Sequence, residues 1–262
     1  MIISNYMVTI KTAKEINIIR AGGHKLAVIL QTLVQAVKLG VDTGYLEQLT
    51  NELIIKAGGR PSFKGYDMGG GLFFPTSLCA SINNEVVHGA ALPARVLRSG
   101  DIIDLDIGME WQGLYTDTCL TVGVGKISHE AKQLIRVTKE ALELGIRQVK
   151  PGNTLNDIGT AIENYADKFD YGVVRDLVGH GVGYQAHEEP NVFNYAIPKN
   201  SRENITLKEG MVLAIEPMIN LGTWEVITAK NGYTVLTVDN SLSAHFEHTV
   251  VVTKTGYEIL TK

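Results

Sequence analysis

Residues 101–122 read DIIDLDIGMEWQGLYTDTCLTV, two apolar, β-branched runs separated by a short polar break. Runs of this kind are strands, here Asp101–Met109 and Leu114–Val124. The break, Glu110-Trp111-Gln112-Gly113, reads as a tight turn, so the two strands form a hairpin. A turn centred between Trp111 and Gln112 places Asp106 directly opposite Asp117, with Cβ atoms about 5 Å apart. Two carboxylates so placed in an apolar sheet repel each other. Either one holds a proton or a cation sits between them. Gly113 is the weak point of this register, since a bulge there would shift it by one residue.

Outward from the hairpin the chain alternates in blocks. Upstream, Thr12 with Glu15 makes a capping box. Ile19, Leu26, Ile29, Leu30, Leu33 and Val37 follow at helical spacing, closed by Gly40. A second helix opens at Thr43 and ends at Gly58-Gly59. Downstream, a helix runs from Ser128 to Val149, stopped by Pro151-Gly152, and another starts at Thr154 with Asp157 and ends near Gly172. Further strands are read at Ala80–Val87, Met211–Ile215 and His245–Thr253, and Glu188–Lys208 reads as a long polar loop of the kind that borders a site. Two helices, strands, two helices and more strands make an α+β fold rather than a regular βαβ alternation. With no linker or repeat visible, residues 1–262 read as a single domain.

Composition narrows the functional classes. The chain has 262 residues, 45% hydrophobic and 20% charged, with a net charge of −4. That balance argues against nucleic acid as the main partner. Two cysteines, Cys79 and Cys119, are too few for a disulfide framework and point to a reducing cytoplasm. The N-terminus lacks the layout of a secretion signal, and no apolar window is long enough to span a membrane.

Two more acids lie in apolar strand settings: Glu216 in GMVLAIEP and Glu247 in SAHFEHTVVV. Glu247 and its neighbour His248 must point to opposite faces of a strand. Residues 179–190, GHGVGYQAHEEP, add His180 between glycines and His187 before two glutamates. A single acid near a strand end is usually on the surface, and a histidine between glycines is usually a loop residue. GHGVG also lacks the spacing of a phosphate-binding loop. The set is what matters: Asp106, Asp117, Glu216, Glu247 and His180 offer four carboxylates and one imidazole. Such donors suit two divalent cations, favouring Mn(II), Fe(II), Co(II) or Zn(II) over a thiolate zinc site. Two ions side by side suit metal-assisted hydrolysis.

In that order, DLD with Asp106, TDT with Asp117, GHGVG with His180, IEPM with Glu216 and EHT with Glu247 resemble the type I methionine aminopeptidases. INNEVVHG (82–89), HEEP (187–190) and SLSAHFEHTVVVT (241–253) extend the resemblance over nearly the whole chain. It implies the pita-bread fold, two pseudo-symmetric αβ halves around a central antiparallel sheet carrying a dinuclear metal site. It implies Asp106 on one ion, Asp117 and Glu247 bridging both, and His180 and Glu216 on the other, with Glu216 also shuttling protons. His88 and His187 would touch the scissile peptide group and the developing oxyanion without binding metal. The methionine pocket would comprise Phe63, Tyr66, Phe74, Cys79 and Tyr233. The implied reaction is removal of the initiator methionine when the second residue is small, by a metal-activated hydroxide attacking the scissile carbonyl. The implied cofactors are two divalent ions per chain from Co, Mn, Fe(II), Zn or Ni. The implied partners are the N-termini of nascent polypeptides and the ribosome near its exit tunnel, with the enzyme a cytoplasmic monomer.

The stretch Asp67–Phe73, DMGGGLF, is longer than the short turn of that family. With no Cys/His-rich extension, the sequence resembles the short bacterial form. Two rivals are weaker. Proline dipeptidases and X-Pro aminopeptidases of this fold carry an added N-terminal domain. Non-catalytic relatives lose ligands, and here all five stand.

Overall fold

The computed structural model describes residues 8–262. Residues 1–7, on which the reading of the N-terminus partly rests, lie outside the described residues. Among the described residues no helix is long and apolar enough to cross a membrane. The helices are α1 (Ala13–Ala36), α2 (Thr43–Lys56), α3 (His129–Ile146) and α4 (Leu155–Ala166). Their starts follow local chemistry. The Glu15 amide donates to Thr12 Oγ1 and the Thr12 amide to Glu15 Oε2, completing the capping box. The second helix is capped by Asp42, whose Oδ1 accepts from the Tyr45 amide. Thr43 is therefore the first residue of the helix, as read from the sequence. Ser128 caps α3 through the Ala131 amide.

The strands in chain order are β1 (Arg60–Pro61), β2 (Leu78–Ile82), β3 (Glu85–Val87), β4 (Ile102–Trp111), β5 (Leu114–Gly123), β6 (Gly172–Val173), β7 (Gly179–Gly181) and β8 (Glu188–Val192). There follow β9 (Val212–Ile215), β10 (Met218–Asn220), β11 (Val226–Thr228), β12 (Val235–Thr237), β13 (Ser243–His245), β14 (Glu247–Val252) and β15 (Tyr257–Ile259). The expected strand at 80–87 is two strands, broken where Asn83 takes a left-handed φ of 59°. The expected loop after Glu188 begins with five residues of strand paired to β7.

One antiparallel sheet organises the molecule, in the order β1-β4-β5-β14-β9-β7-β8, with β2 on β4 and β15 on β14. Its long hairpin differs from the expected register. Trp111 pairs with Leu114, so the loop is Gln112-Gly113, with φ of 53° and 82°. Positive φ at both positions suits a type I′ turn, whose twist matches the strands. Gly113 is thus inside the turn, not a bulge beyond it. Asp106 pairs with Cys119 and Asp117 with Gly108. The two aspartates are diagonal neighbours rather than direct partners. They keep the same face because side chains alternate with period two.

Each end of the sheet buries its back face under a helix pair. Ile103, Leu105 and Ile107 of β4 pack with Leu26, Leu33, Leu46 and Ile54 of α1 and α2. Leu213, Ile215, Val250 and Val252 pack with Leu134, Leu142, Ile158 and Ile162 of α3 and α4. Two helices followed by strands thus occur twice along the chain, giving two helix-covered halves on one sheet. The front face carries polar groups at its centre, flanked by an apolar cluster of Val182, Val212 and Val251 with Ile19.

Candidate active site

The register brings the acids together on the front face. Cys79 pairs with Asp106, Asp106 with Cys119, and Cys119 with Glu247. Next to that row, Thr249 pairs with Ala214 and Ala214 with His180. By the period of two, Asp106, Asp117, Glu247 and His180 all face the same way, as does the position of Glu216, two beyond Ala214. Donor atoms of Asp117, His180 and Glu247 lie within 4.8 Å of one another.

The glycines around His180 are a packing requirement. A Cβ at Gly179 would come within 2.4 Å of the Ala214 carbonyl, and one at Gly181 within 2.2 Å of the Glu189 carbonyl. Only glycine lets β8 and β9 close on β7 and deliver the imidazole between them. Gly108 plays a similar part on β4, since a Cβ there would strike the Phe63 ring at 2.9 Å.

Asp106, Asp117 and Glu247 are buried, and Glu216 nearly so. Desolvation pushes the carboxyl of Asp106 up to about 7 and those of Asp117, Glu216 and Glu247 well above the ordinary carboxylate range, with their mutual repulsion adding to the rise for Asp106, Asp117 and Glu247. His180 Nδ1 lies 2.8 Å from the Gly181 carbonyl, which can only accept, so Nδ1 carries the proton. Nε2 then points its lone pair at Glu216 Oε1, 3.2 Å away. Burial holds His180 neutral, down to about 4. Asp106 Oδ1, Glu216 Oε1, Glu247 Oε1 and His245 Nε2 are buried without hydrogen-bond partners. Buried acceptor atoms gathered without hydrogen-bond partners are the pattern a cation would satisfy. The residues fit a divalent metal group.

His245 was not singled out from sequence. It lies two residues before Glu247, so it shares that residue's face of the chain, a signal the same alternation rule offered. A fifth buried acid, Asp104, accepts from Thr121 Oγ1 at 2.6 Å.

Beside the acids is a cavity of about 320 Å³. Phe63, Tyr66, Phe74, Cys79 and His88 line it, as does Met68 from the glycine-rich stretch. Tyr233 is not among the lining residues; its ring is edge-on to Phe74 at 5.5 Å. His187 stacks between Tyr66, at 4.9 Å, and His180, at 4.3 Å. Its Nδ1 is buried and unpartnered. Burial pushes His187 down to about 3 and His88 to about 4, so both are neutral at pH 7 and each carries one N–H. His88 sits at φ 57°, strained backbone of the kind found at functional sites.

The metal-free cluster sets a pH dependence. Between pH 7 and 8 the histidines are neutral in the fold and mostly neutral in the unfolded chain. The raised carboxyls still hold protons in the fold that the unfolded chain has lost. Stability therefore falls as pH rises through this window, by about 1.4 kcal/mol per pH unit for each group still protonated. Thermal melting with a chelator should show Tm falling from pH 7 to 8. Mn(II) or Co(II) should flatten the slope, because the cation holds the carboxylates ionised in the fold. A chelated protein whose Tm is flat across this range would contradict the account.

Comparison with known proteins agrees with this geometry. A family model, metallopeptidase family M24, matches residues 17–254. The methionine aminopeptidase of Clostridium acetobutylicum is 46% identical over 255 residues, 97% of this chain and 99% of that one. A crystal structure of methionine aminopeptidase from Thermotoga maritima superposes with a TM-score of 0.92 at 41% identity, covering 98% of this chain and 100% of that one. The prolidase from Pyrococcus horikoshii shares the fold, with a TM-score of 0.76 at 24% identity, but this chain covers only 63% of it. Matched over nearly its full length in sequence and in fold, the chain belongs to metallopeptidase family M24 and, within it, to the methionine aminopeptidases.

Proposed function

We propose that this chain removes the N-terminal methionine from polypeptides whose second residue is small, using two divalent ions held by Asp106, Asp117, His180, Glu216 and Glu247. The observation that carries this reading is the convergence of those five side chains on one sheet face beside an aromatic cavity. Asp117 and Glu247 would bridge the ions. Asp106 would serve one and His180 with Glu216 the other, drawn from Co, Mn, Fe(II), Zn or Ni. Bound ions of this kind polarise a carbonyl and make water more acidic.

The protein's own groups do the rest. The Glu216 carboxylate takes a proton from water and returns it to the leaving amine, a transfer that needs a base positioned within hydrogen-bond reach. Neutral His88 and His187 present N–H groups to the scissile peptide, where charge develops in the transition state. Phe63, Tyr66, Phe74 and Cys79 receive the methionine side chain, whose sulfur packs well against aromatic edges. The partners in the cell are the N-termini of nascent chains, met as they leave the ribosome, in the cytoplasm and by a monomeric enzyme.

Matched peptides test this. Met-Ala-Ser, Met-Gly-Ser and Met-Pro-Ser should release methionine, and Met-Lys-Ser and Met-Phe-Ser almost none. Leu-Ala-Ser should be cleaved far more slowly than Met-Ala-Ser. A sulfur–aromatic contact is worth only about 1 kcal/mol, so the branched shape of leucine must supply most of that rejection. Comparable kcat/KM for the two would sink methionine specificity while leaving the peptidase intact. Cleavage of Ala-Pro in preference would assign the chain to the proline-directed branch of the fold.

A further inference from the structure

His187 lines the cavity at the end of the loop 182–187, which joins β7 to β8, and Glu188 beside it does not. The Glu188 side chain is 8% exposed and folds back on that loop, where Oε2 accepts from the amides of Tyr184 at 3.0 Å and Gln185 at 3.3 Å. Its Oε1 accepts from the ammonium of Lys11 and the hydroxyl of Thr9, both from the segment ahead of α1. Lys11 is the more deeply buried partner, its side chain 1% exposed. The segment is itself anchored, since the Lys11 amide donates to the Gly210 carbonyl at 2.9 Å. The stem of Lys11 lies on Gly183, where a Cβ would come within 2.5 Å of its Cε, and its ammonium is 5.1 Å from the centre of the Tyr184 ring. The Tyr184 hydroxyl donates to Glu15 Oε1 at 2.9 Å, tying the same loop to the first turn of α1.

We propose that Lys11 and Glu188 are positioning residues for His187, a buried ion pair through which the segment ahead of α1 sets the place of the imidazole against the scissile peptide. The proposal rests on the peptidase reading and adds to it two residues that do not touch substrate. The His187 ring packs on Tyr66 and His180, but its Nδ1 has no hydrogen-bond partner. No bond through that atom fixes the ring, so its place follows from the backbone of the loop. Gly183, at φ 142°, leaves that backbone little intrinsic stiffness, and the hold must come from outside. Glu188 supplies it at two amides, and Lys11 fixes Glu188 by a charge-assisted bond, which is short and directional. Such a pair contributes little net stability over apolar packing of the same volume. What it adds here is one fixed arrangement of the loop.

The test is a double-mutant cycle on the intact protein loaded with Mn(II) or Co(II), read as kcat and KM for Met-Ala-Ser. Lys11→Met alone would leave a buried carboxylate unpaired. It is therefore combined with Glu188→Gln, which removes both charges and keeps an oxygen to cap the loop. This paired variant should lower kcat about 10- to 100-fold with KM within about twofold, the cost of misplacing a group that acts in the transition state. Introduced into His187→Ala, the same pair should lower kcat by less than about twofold, because residues that act through one group are not additive. Metal content should be unchanged throughout, and thermal melting identifies the folded preparations. Lys11→Arg keeps the charge but moves it, and should show the same pattern at smaller size, so misfolding of the paired variant would not remove the test. Equal losses in the two backgrounds overturn the proposal and leave the pair a structural clamp. An unchanged kcat in the folded paired variant also overturns it. A His187→Ala variant as fast as the unaltered protein takes the proposal down together with the role given to His187. Failure of the unaltered protein to release methionine would instead count against the peptidase reading.

Discussion

Asp117→Ala and Glu247→Ala should each lower Met-Ala-Ser hydrolysis by at least about a thousandfold, some 4 kcal/mol of lost transition-state stabilisation. Both carboxylates are buried, and each belongs with His180 to the tightest donor group in the site. Removing either takes away a bridging ligand, so metal content should fall with activity. The fold should survive. Without metal these acids repel, and deleting one relieves that repulsion. Metal analysis, peptide release and thermal melting on the same preparations separate the effects. A variant that kept near-native turnover would refute the bridging assignment.

His187→Ala should cut kcat on the order of a hundredfold, about 2.7 kcal/mol, with metal content unchanged. The imidazole is neutral, its Nδ1 is unpartnered, and it faces the cavity beside the acids. Its ring also packs on His180, 4.3 Å away. His187→Gln is the companion variant, because it keeps bulk and a donor while losing the ring. Loss of kcat without metal loss in both supports transition-state stabilisation. Loss of metal would make His187 a ligand and remove the division of labour between it and His180.

The helices were legible because caps and periodicity agree locally, as at Thr12 with Glu15 and at Ser128. The long hairpin was legible as a hairpin and misread by one residue on each strand. The turn, centred in the sequence reading between Trp111 and Gln112, is centred between Gln112 and Gly113, which carry the positive φ values. The error left the site standing because both strands slipped together, and Asp106 and Asp117 still share a face. The short strands around His180 and Glu188 were not legible. Three residues of Gly-His-Gly have no periodicity, and they are strand only because β8 and β9 close on glycines that admit no Cβ. His245 is two residues from Glu247 and shares its face, whereas the adjacent His248 faces away, so a signal for it lies only in positions two apart. Tyr233, expected on the cavity wall, meets Phe74 edge-on, a contact that sequence spacing does not reveal.

Strand β14 lies between β5 and β9, so the last acid of the set wedges between the two halves of the chain. Asp106 and Asp117 precede α3, whereas His180, Glu216 and Glu247 follow it. During synthesis the first half emerges with two acids and no partner for them. On the proposed ligand set, hydrolytic competence would wait for β14 to be inserted. The same arrangement makes the molecule divisible. Fragments cut in the Gly125–Ser128 loop would each hold part of the donor set and none of the activity. Their reassociation would be reported by methionine release itself.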